Sequence, residues 1–162
     1  MDYKLEILQP TSQQVRQVID LVQQLERESS FITFGPEFSS DNQANLAQIL
    51  DLLPQNDQNL LLVATVKQKM VGIITVNLTD AKSLSAELGI GVLNEFQNIG
   101  LGSYLIEEAL DWFENYSGLH EIWLEVYQNN PKAIHLYYKY GFKQVSARQN
   151  IIKMELKGEK VL

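Results

Sequence analysis

No cysteine occurs among the 162 residues, which excludes disulfides, thiolate metal sites and a covalent cysteine intermediate, and is compatible with a reducing compartment. Long apolar runs are also missing: nothing approaches the ~18 consecutive apolar residues of a membrane-spanning helix. The opening MDYKLEILQP alternates charged and apolar residues and lacks the apolar core of a signal peptide. The expectation is a soluble, cytoplasmic protein with no membrane partner. Positive charge is scarce. Thirteen Lys and Arg stand against 20 Asp and Glu, a formal net charge of −7, which disfavours attraction to nucleic-acid phosphates and suits either cationic partners or plain solubility. The scarcity is uneven, since no Lys or Arg lies between Lys82 and Lys132. Histidine is limited to His120 and His135, too far apart and too poorly accompanied to suggest a metal site, so no metal is expected and neither is given a role. No Ser-His-Asp set declares itself.

What is present suits one ordinary core: 45% hydrophobic and 20% charged residues is a globular balance. No repeat, low-complexity tract or linker divides 1–162, and a single domain is expected. Residues 3–8 alternate like an edge strand and stop at Pro10. Thr11 or Ser12 can cap a helix in which Val15, Val18, Ile19, Val22 and Leu25 recur at helical spacing towards Glu26. After a loop at 29–40, Ser40 or Asp41 can cap a second helix with a stripe of Leu46, Ile49, Leu50 and Leu53, ending at Pro54. Two β-rich runs, LLLVATV and MVGIITVNL, flank a tight turn at Lys67–Lys69, and AELGIGV at 86–92 makes a third strand of an antiparallel meander. A long helix from about Gly100 to Tyr116 follows, ended by Gly118. EIWLEV at 121–126 is then a strand parallel to 86–92, reached by a right-handed crossover. A short helix spans Pro131 to Tyr140, and strands near 142–146 and 151–156 complete the order β-α-α-β-β-β-α-β-α-β-β.

The stretch ELGIGVLNEFQNIGLGSYLIEEALDWF at 87–113 carries the most information. An apolar strand runs into a loop with Gln97, Gly100 and Gly102, and the long helix starts there. Glycines allow close backbone approach, and the unpaired N–H groups of a helix's first turn form an anion site. Neither a Gly-Lys-Ser/Thr ending nor the third glycine of a dinucleotide fingerprint is present, which disfavours ATP and NAD.

QNIGLG at 97–102 in this setting, together with NPKAIHLYYKYGF at 130–142, resembles the GNAT superfamily of acyl-CoA-dependent N-acetyltransferases, with its Gln/Arg-x-x-Gly-x-Gly/Ala loop and its Asn-x-x-Ala-x-x-Leu-Tyr-x-x-x-Gly-Phe segment. The strong resemblance covers about 85 to 145. It implies an α/β (α+β) fold with a mixed, mostly antiparallel sheet of six to seven strands and a parallel pair splayed at an acetyl-CoA cleft. It further implies acetyl transfer from acetyl-CoA to a primary amine by direct attack in a ternary complex, and is compatible with a homodimer. The other reading is a catalytically inactive CoA-binding regulatory or assembly module.

The resemblance implies that amides of Gln97, Asn98, Ile99, Gly100, Leu101, Gly102 and Ser103 hold the pyrophosphate. Backbone of Val92 and Leu93 would meet pantetheine, with Gly91 easing a bulge that opens the cleft and aims an N–H at the oxyanion. Many relatives carry Arg or Lys in the loop; here 98 and 99 are Asn and Ile, so Lys132 or Lys139 is left to serve the 3′-phosphate. Asn130 matches the asparagine that bonds the cofactor arm, and can also cap the helix at Pro131. Tyr137 matches the tyrosine that protonates the departing thiolate, although Tyr138 and Tyr140 lie beside it. Glu87 is the candidate base for a protonated amine, its pKa open to elevation by apolar neighbours, with Glu125 in reserve. Acceptor choice is expected to rest on Glu28, Phe31, Phe34, Glu37 and Phe38 and on the segment after Phe142. A small amine, amino acid, polyamine or protein N-terminus or lysine all remain open.

Overall fold

The computed structural model describes residues 4–30 and 34–159. Strand β1 (Leu5–Leu8) is the sheet edge, and Thr11 then closes a capping box with Gln14 over a 3-10 turn, Ser12–Gln14, which leads into α1 (Val15–Glu28). The face of α1 carrying Val18, Ile19, Leu21, Val22 and Leu25 is buried, as the spacing predicts. Helix α2 (Gln43–Leu52) buries Leu46 and Leu50. Its start departs from expectation: neither Ser40 nor Asp41 caps it. Ser39 instead accepts the Asp41 N–H to cap an intervening 3-10 turn, Ser40–Asn42, and that turn displaces the helix start to Gln43.

Strands β2 (Leu60–Val66) and β3 (Lys69–Asp80) form a hairpin through Lys67 and Gln68, both left-handed at φ 50° and 70°, as a two-residue turn between twisted strands requires. Strand β4 (Ser85–Val92) completes the antiparallel meander, and α3 (Leu101–Asn115) crosses over to β5 (Glu121–Tyr127). The last residue of α3 is Asn115, with Tyr116 as its cap, close to the expected end; Gly118 is not left-handed and is not the stop. Gly118 lies against the Asp57 segment: its N–H donates to the Asp57 carbonyl at 2.8 Å. Helix α4 (Pro131–Lys139), β6 (Lys143–Arg148) and β7 (Ile151–Lys157) follow, and the seven strands take the order β1-β2-β3-β4-β5-β7-β6.

Two sheet features position the site. Strands β4 and β5 are parallel neighbours only at Ser85↔Glu121, Ala86↔Ile122 and Glu87↔Trp123, after which they part. Each is held on its outer side, β4 by β3 through Val92 and β5 by β7 through Tyr127, so the gap between them is a fixed wedge. No bulge accompanies Gly91, because β3 and β4 stay in register from Gly72↔Val92 to Leu78↔Ala86. The divergence of two well-paired strands does the opening expected of a bulge.

The second feature is which face each helix covers. Leu105 of α3 would meet a Cβ at Gly72, and Phe34, between α1 and α2, would meet one at Gly89. Gly89 pairs with Thr75, three residues from Gly72, so α3 and Phe34 cover opposite faces. Gly141, just after α4, sits over Leu156, which shares the α3 face with Ile122 and Ala86. Glu87, Trp123 and Glu125 belong to the Phe34 face by the same alternation. Among the described residues no helix is long and apolar enough to cross a membrane.

Candidate functional site

The wedge between β4 and β5 opens into a cleft of about 900 Å³, bordered by the α3 start, by α4 and by the end of α1. Its floor alternates along β4: Glu87, Gly89 and Gly91 face one way, Leu88, Ile90 and Val92 the other, and all line the cleft.

At one end stands the glycine loop. Gly100, at φ 86°, is the residue before α3 and offers no side chain to cap it. The first intrahelical bond reaching back is Tyr104 N–H to the Gly100 carbonyl, at 3.0 Å. The N–H groups of Leu101, Gly102 and Ser103 are therefore the orphan donors of a helix start, joined by the macrodipole. A Cβ at Gly100 or Gly102 would find nothing within 4 Å, so no neighbouring side chain crowds the loop at either glycine. The residues present fit a pyrophosphate.

Gln97 plays a different part. Its amide donates to the Val92 carbonyl at 3.0 Å and to Asn94 Oδ1 at 3.2 Å, which braces the loop against the strand end. Asn94, which sequence reasoning missed, gives its N–H to Glu28 Oε1 at 2.8 Å, and Gln24 holds the other Glu28 oxygen at 3.1 Å. Glu28, expected to take part in acceptor choice, thus ties the end of α1 to the glycine loop. An amide tether of this kind depends on a contact 66 residues apart and has no local signature.

Asn130 caps α4, its Oδ1 accepting the Ala133 N–H at 3.3 Å, and the residue lines the cleft. Lys132, in the first turn of α4, donates from Nζ to Asn98 Oδ1, bridging α4 to the loop. Two expected contacts are not brought to the cleft as side chains. Leu93 is in the core with its N–H donated to the Val71 carbonyl at 2.9 Å, so that amide is spent on β3. Ile99 turns its side chain to solvent, 61% exposed.

The three neighbouring tyrosines separate cleanly. Tyr138 is exposed, and Tyr140 donates to Glu107 Oε1 on α3 at 2.7 Å. Tyr137 is buried, packs edge-on against Phe142 at 5.8 Å, and lines the cleft. Burial pushes its phenol up to about 12. No buried side-chain polar atom is left without a partner among the described residues, and no hydrogen bond is made by the Tyr137 hydroxyl, so it opens to the cleft.

Across the wedge, Glu87 has its pKa raised, first by desolvation and then by the negative charge of Glu125. Lys153, cross-strand from Glu125, turns away to the Trp123 ring (4.8 Å) and to Glu155 (3.8 Å). Among the described residues neither Glu87 nor Glu125 has an ion-pair partner. Of the remaining expected acceptor residues, Phe34 lines the cleft, Phe38 packs edge-on against it at 5.6 Å from inside the core, Glu37 is not at the cleft, and Phe31 lies outside the described residues. His135 lines the cleft, as do Tyr127 and Lys139. A pair of carboxylates, a protonated phenol and an anion cradle around one wedge suit transfer of an acyl group to an amine.

A family model described as the acetyltransferase (GNAT) family matches residues 19–142. The spermidine N(1)-acetyltransferase of Vibrio cholerae is 33% identical over 87 residues, covering 54% of this chain and 50% of that protein. The [ribosomal protein bS18]-alanine N-acetyltransferase of Salmonella typhimurium is 36% identical over 92 residues, covering 57% and 59%. The chain thus spans about half the length of the curated relatives it matches. The crystal structure of spermidine N-acetyltransferase from Vibrio cholerae in complex with CoA and spermine superposes with a TM-score of 0.74 at 26% identity, over 96% of each chain.

Proposed function

The chain belongs to the GNAT acetyltransferase family, and from that premise we propose that it moves an acetyl group from acetyl-CoA to a cationic primary amine by direct attack in a ternary complex. The observation that carries this reading is the wedge between β4 and β5, with unspent helix amides at its end, a protonated tyrosine on one face and a desolvated carboxylate on the other.

In this reading the amides of Leu101, Gly102 and Ser103, with those of Asn98, Ile99 and Gly100, hold the phosphates, Gln97 braces the loop, and Val92 and Asn130 border the arm. Acetyl-CoA, when bound, supplies a thioester carbon for attack and a thiolate as leaving group. Glu87 receives the proton that an amine of ordinary pKa, about 10.4, must lose before attack. Its raised pKa, set first by desolvation and then by the charge of Glu125, makes it a better proton acceptor than an exposed glutamate. Tyr137, held near 12, keeps its proton at every working pH. Because thiols titrate near 8.5, full transfer from so weak an acid is uphill. The hydroxyl serves as a hydrogen-bond donor to developing charge on sulfur, a stabilisation placed where charge appears.

The acceptor class follows from charge. Glu87 and Glu125 face the amine side unpaired, Phe34 adds an apolar wall, and the lysines lining the cleft, Lys132 and Lys139, are on α4. A polyamine-like cation suits this wall better than a free amino acid, whose carboxylate would meet two like charges. The named relatives support amine acceptors of more than one size. The experiment is thiol release from acetyl-CoA with spermidine, an alanine-terminated peptide and free amino acids. A kcat/KM at least about tenfold higher for spermidine than for the amino acids, equivalent to 1.4 kcal/mol, is expected. A preference for amino acids would overturn the acceptor class. CoA binding without thiol release for any amine would favour a non-catalytic CoA-binding module.

A further inference from the structure

We infer that Lys132 is the cation this chain supplies to the pyrophosphate of the cofactor, delivered from α4 across the mouth of the cleft to the α3 loop. The inference rests on the acetyl-CoA reading and assigns a role that the loop itself leaves vacant.

No Lys or Arg occurs between Lys82 and Lys132, so β4, the loop and α3 offer a doubly charged group only amides. Of the Lys and Arg side chains, Lys132 and Lys139 alone line the cleft among the described residues. They are not equivalent. Lys132 is in the first turn of α4, just after Asn130 and Pro131 set the helix start, and its ammonium already rests on Asn98 Oδ1 in the loop. Lys139 is seven residues on, roughly 10 Å further along the helix at 1.5 Å per residue, with Nζ 5.6 Å from the centroid of the Tyr140 ring.

The position of Lys132 is unfavourable without an anion. The first turn of a helix carries the positive end of its dipole, which opposes a cation there. No acidic residue shares that turn, and no ion pair among the described residues includes Lys132. Its bonding partner is a neutral amide, so the charge itself is uncompensated. The Lys132 ammonium therefore stands at the loop that opens into the uncapped start of α3, and an anion lodged there would satisfy both. A lysine acts on phosphate as a point charge needing no bidentate geometry, which suits delivery from a neighbouring helix. The competing assignment, a contact with the 3′-phosphate, places Lys132 at the far end of the nucleotide.

The two are separated by titrating CoA, 3′-dephospho-CoA and pantetheine calorimetrically into the wild-type chain, K132Q and K139Q. Both lysines are exposed, and unchanged unfolding temperatures will show that the variants fold. The expected result is that K132Q weakens CoA and dephospho-CoA by the same factor, about tenfold as for loss of one charge-assisted hydrogen bond, and leaves pantetheine unaffected. A loss confined to CoA would give Lys132 to the 3′-phosphate and overturn the inference. Unchanged affinity for both nucleotides, or an equal loss of both in K139Q, would overturn it as well. Failure of the wild type to bind CoA would instead remove the acetyl-CoA reading, and this inference with it.

Discussion

On the α3 side of the cleft the polar groups are backbone amides, left unpaired by helix geometry at a start that Gly100 does not cap. On the opposite side they are carboxylates and rings: Glu87 from β4, Glu125 and Tyr127 from β5, and Phe34 from the segment between α1 and α2. A wall of amides keeps its chemistry whatever side chains surround it, provided the turn keeps its shape. A wall of side chains can be rewritten one residue at a time. The first arrangement suits a ligand that never changes and the second an acceptor that does, which agrees with relatives named for spermidine and for a ribosomal alanine.

The largest effect is expected where the two walls meet. Tyr137→Phe keeps the ring against Phe142 and removes a hydroxyl that bonds no described residue, so folding and CoA affinity should hold. Turnover should fall by about 10²-fold, the lower end for a positioned proton donor. Steady-state rates alongside CoA titration check this, and full turnover with intact CoA binding would take Tyr137 out of the chemistry. Next in size is a change aimed at the amide wall alone. Gly100→Ala forces a side chain into a left-handed backbone, at a cost of about 1–2 kcal/mol. The unfolding temperature should drop by about 2–6 °C, and CoA should bind more weakly while the acceptor KM stays put. Equal weakening of both substrates would mean that the walls are not independent.

The same contrast decides how much could be read beforehand. The amide wall was legible because its determinants are local: a strand, a Gln-x-x-Gly-x-Gly turn and an amphipathic helix in succession. In the sequence only its place in the second motif distinguishes Tyr137 from Tyr138 and Tyr140; in the fold Tyr137 is buried, Tyr138 is exposed and Tyr140 is bonded to Glu107. Strand order could be anticipated up to the parallel pair, since each connection is a hairpin or a crossover. Contacts that join distant segments left no trace. The Glu28–Asn94 bond, the Leu93 amide spent on Val71 and the Lys132–Asn98 bridge all depend on how elements dock. The opening of the cleft was misattributed for a related reason. A glycine in a strand suggests a bulge, whereas the wedge arises because β4 and β5 each keep a better partner on the other side.

The smallest expected effect tests the side-chain wall by itself. Glu87 is raised first by desolvation and second by Glu125. A base works only when deprotonated, so a raised pKa places the acid limb of the kcat/KM profile above that of an ordinary glutamate, near 4.3. Glu125→Gln removes the second cause and leaves the first. The limb should therefore move to lower pH yet stop short of the ordinary value, because burial, the larger contribution, persists. The height of the plateau is a separate quantity: it reports contact between Glu125 and a cationic acceptor, and should drop for spermidine more than for a monoamine. Stability runs in the same direction. With its folded pKa above its unfolded one, Glu87 favours the fold most at low pH and loses that contribution as pH rises through the folded value. Glu125→Gln should then raise the unfolding temperature at neutral pH, by an amount that shrinks as the medium is acidified. An acid limb that moved upward in Glu125→Gln would show that Glu125 holds Glu87 by something other than its charge, and the side-chain wall would have to be redrawn around that contact.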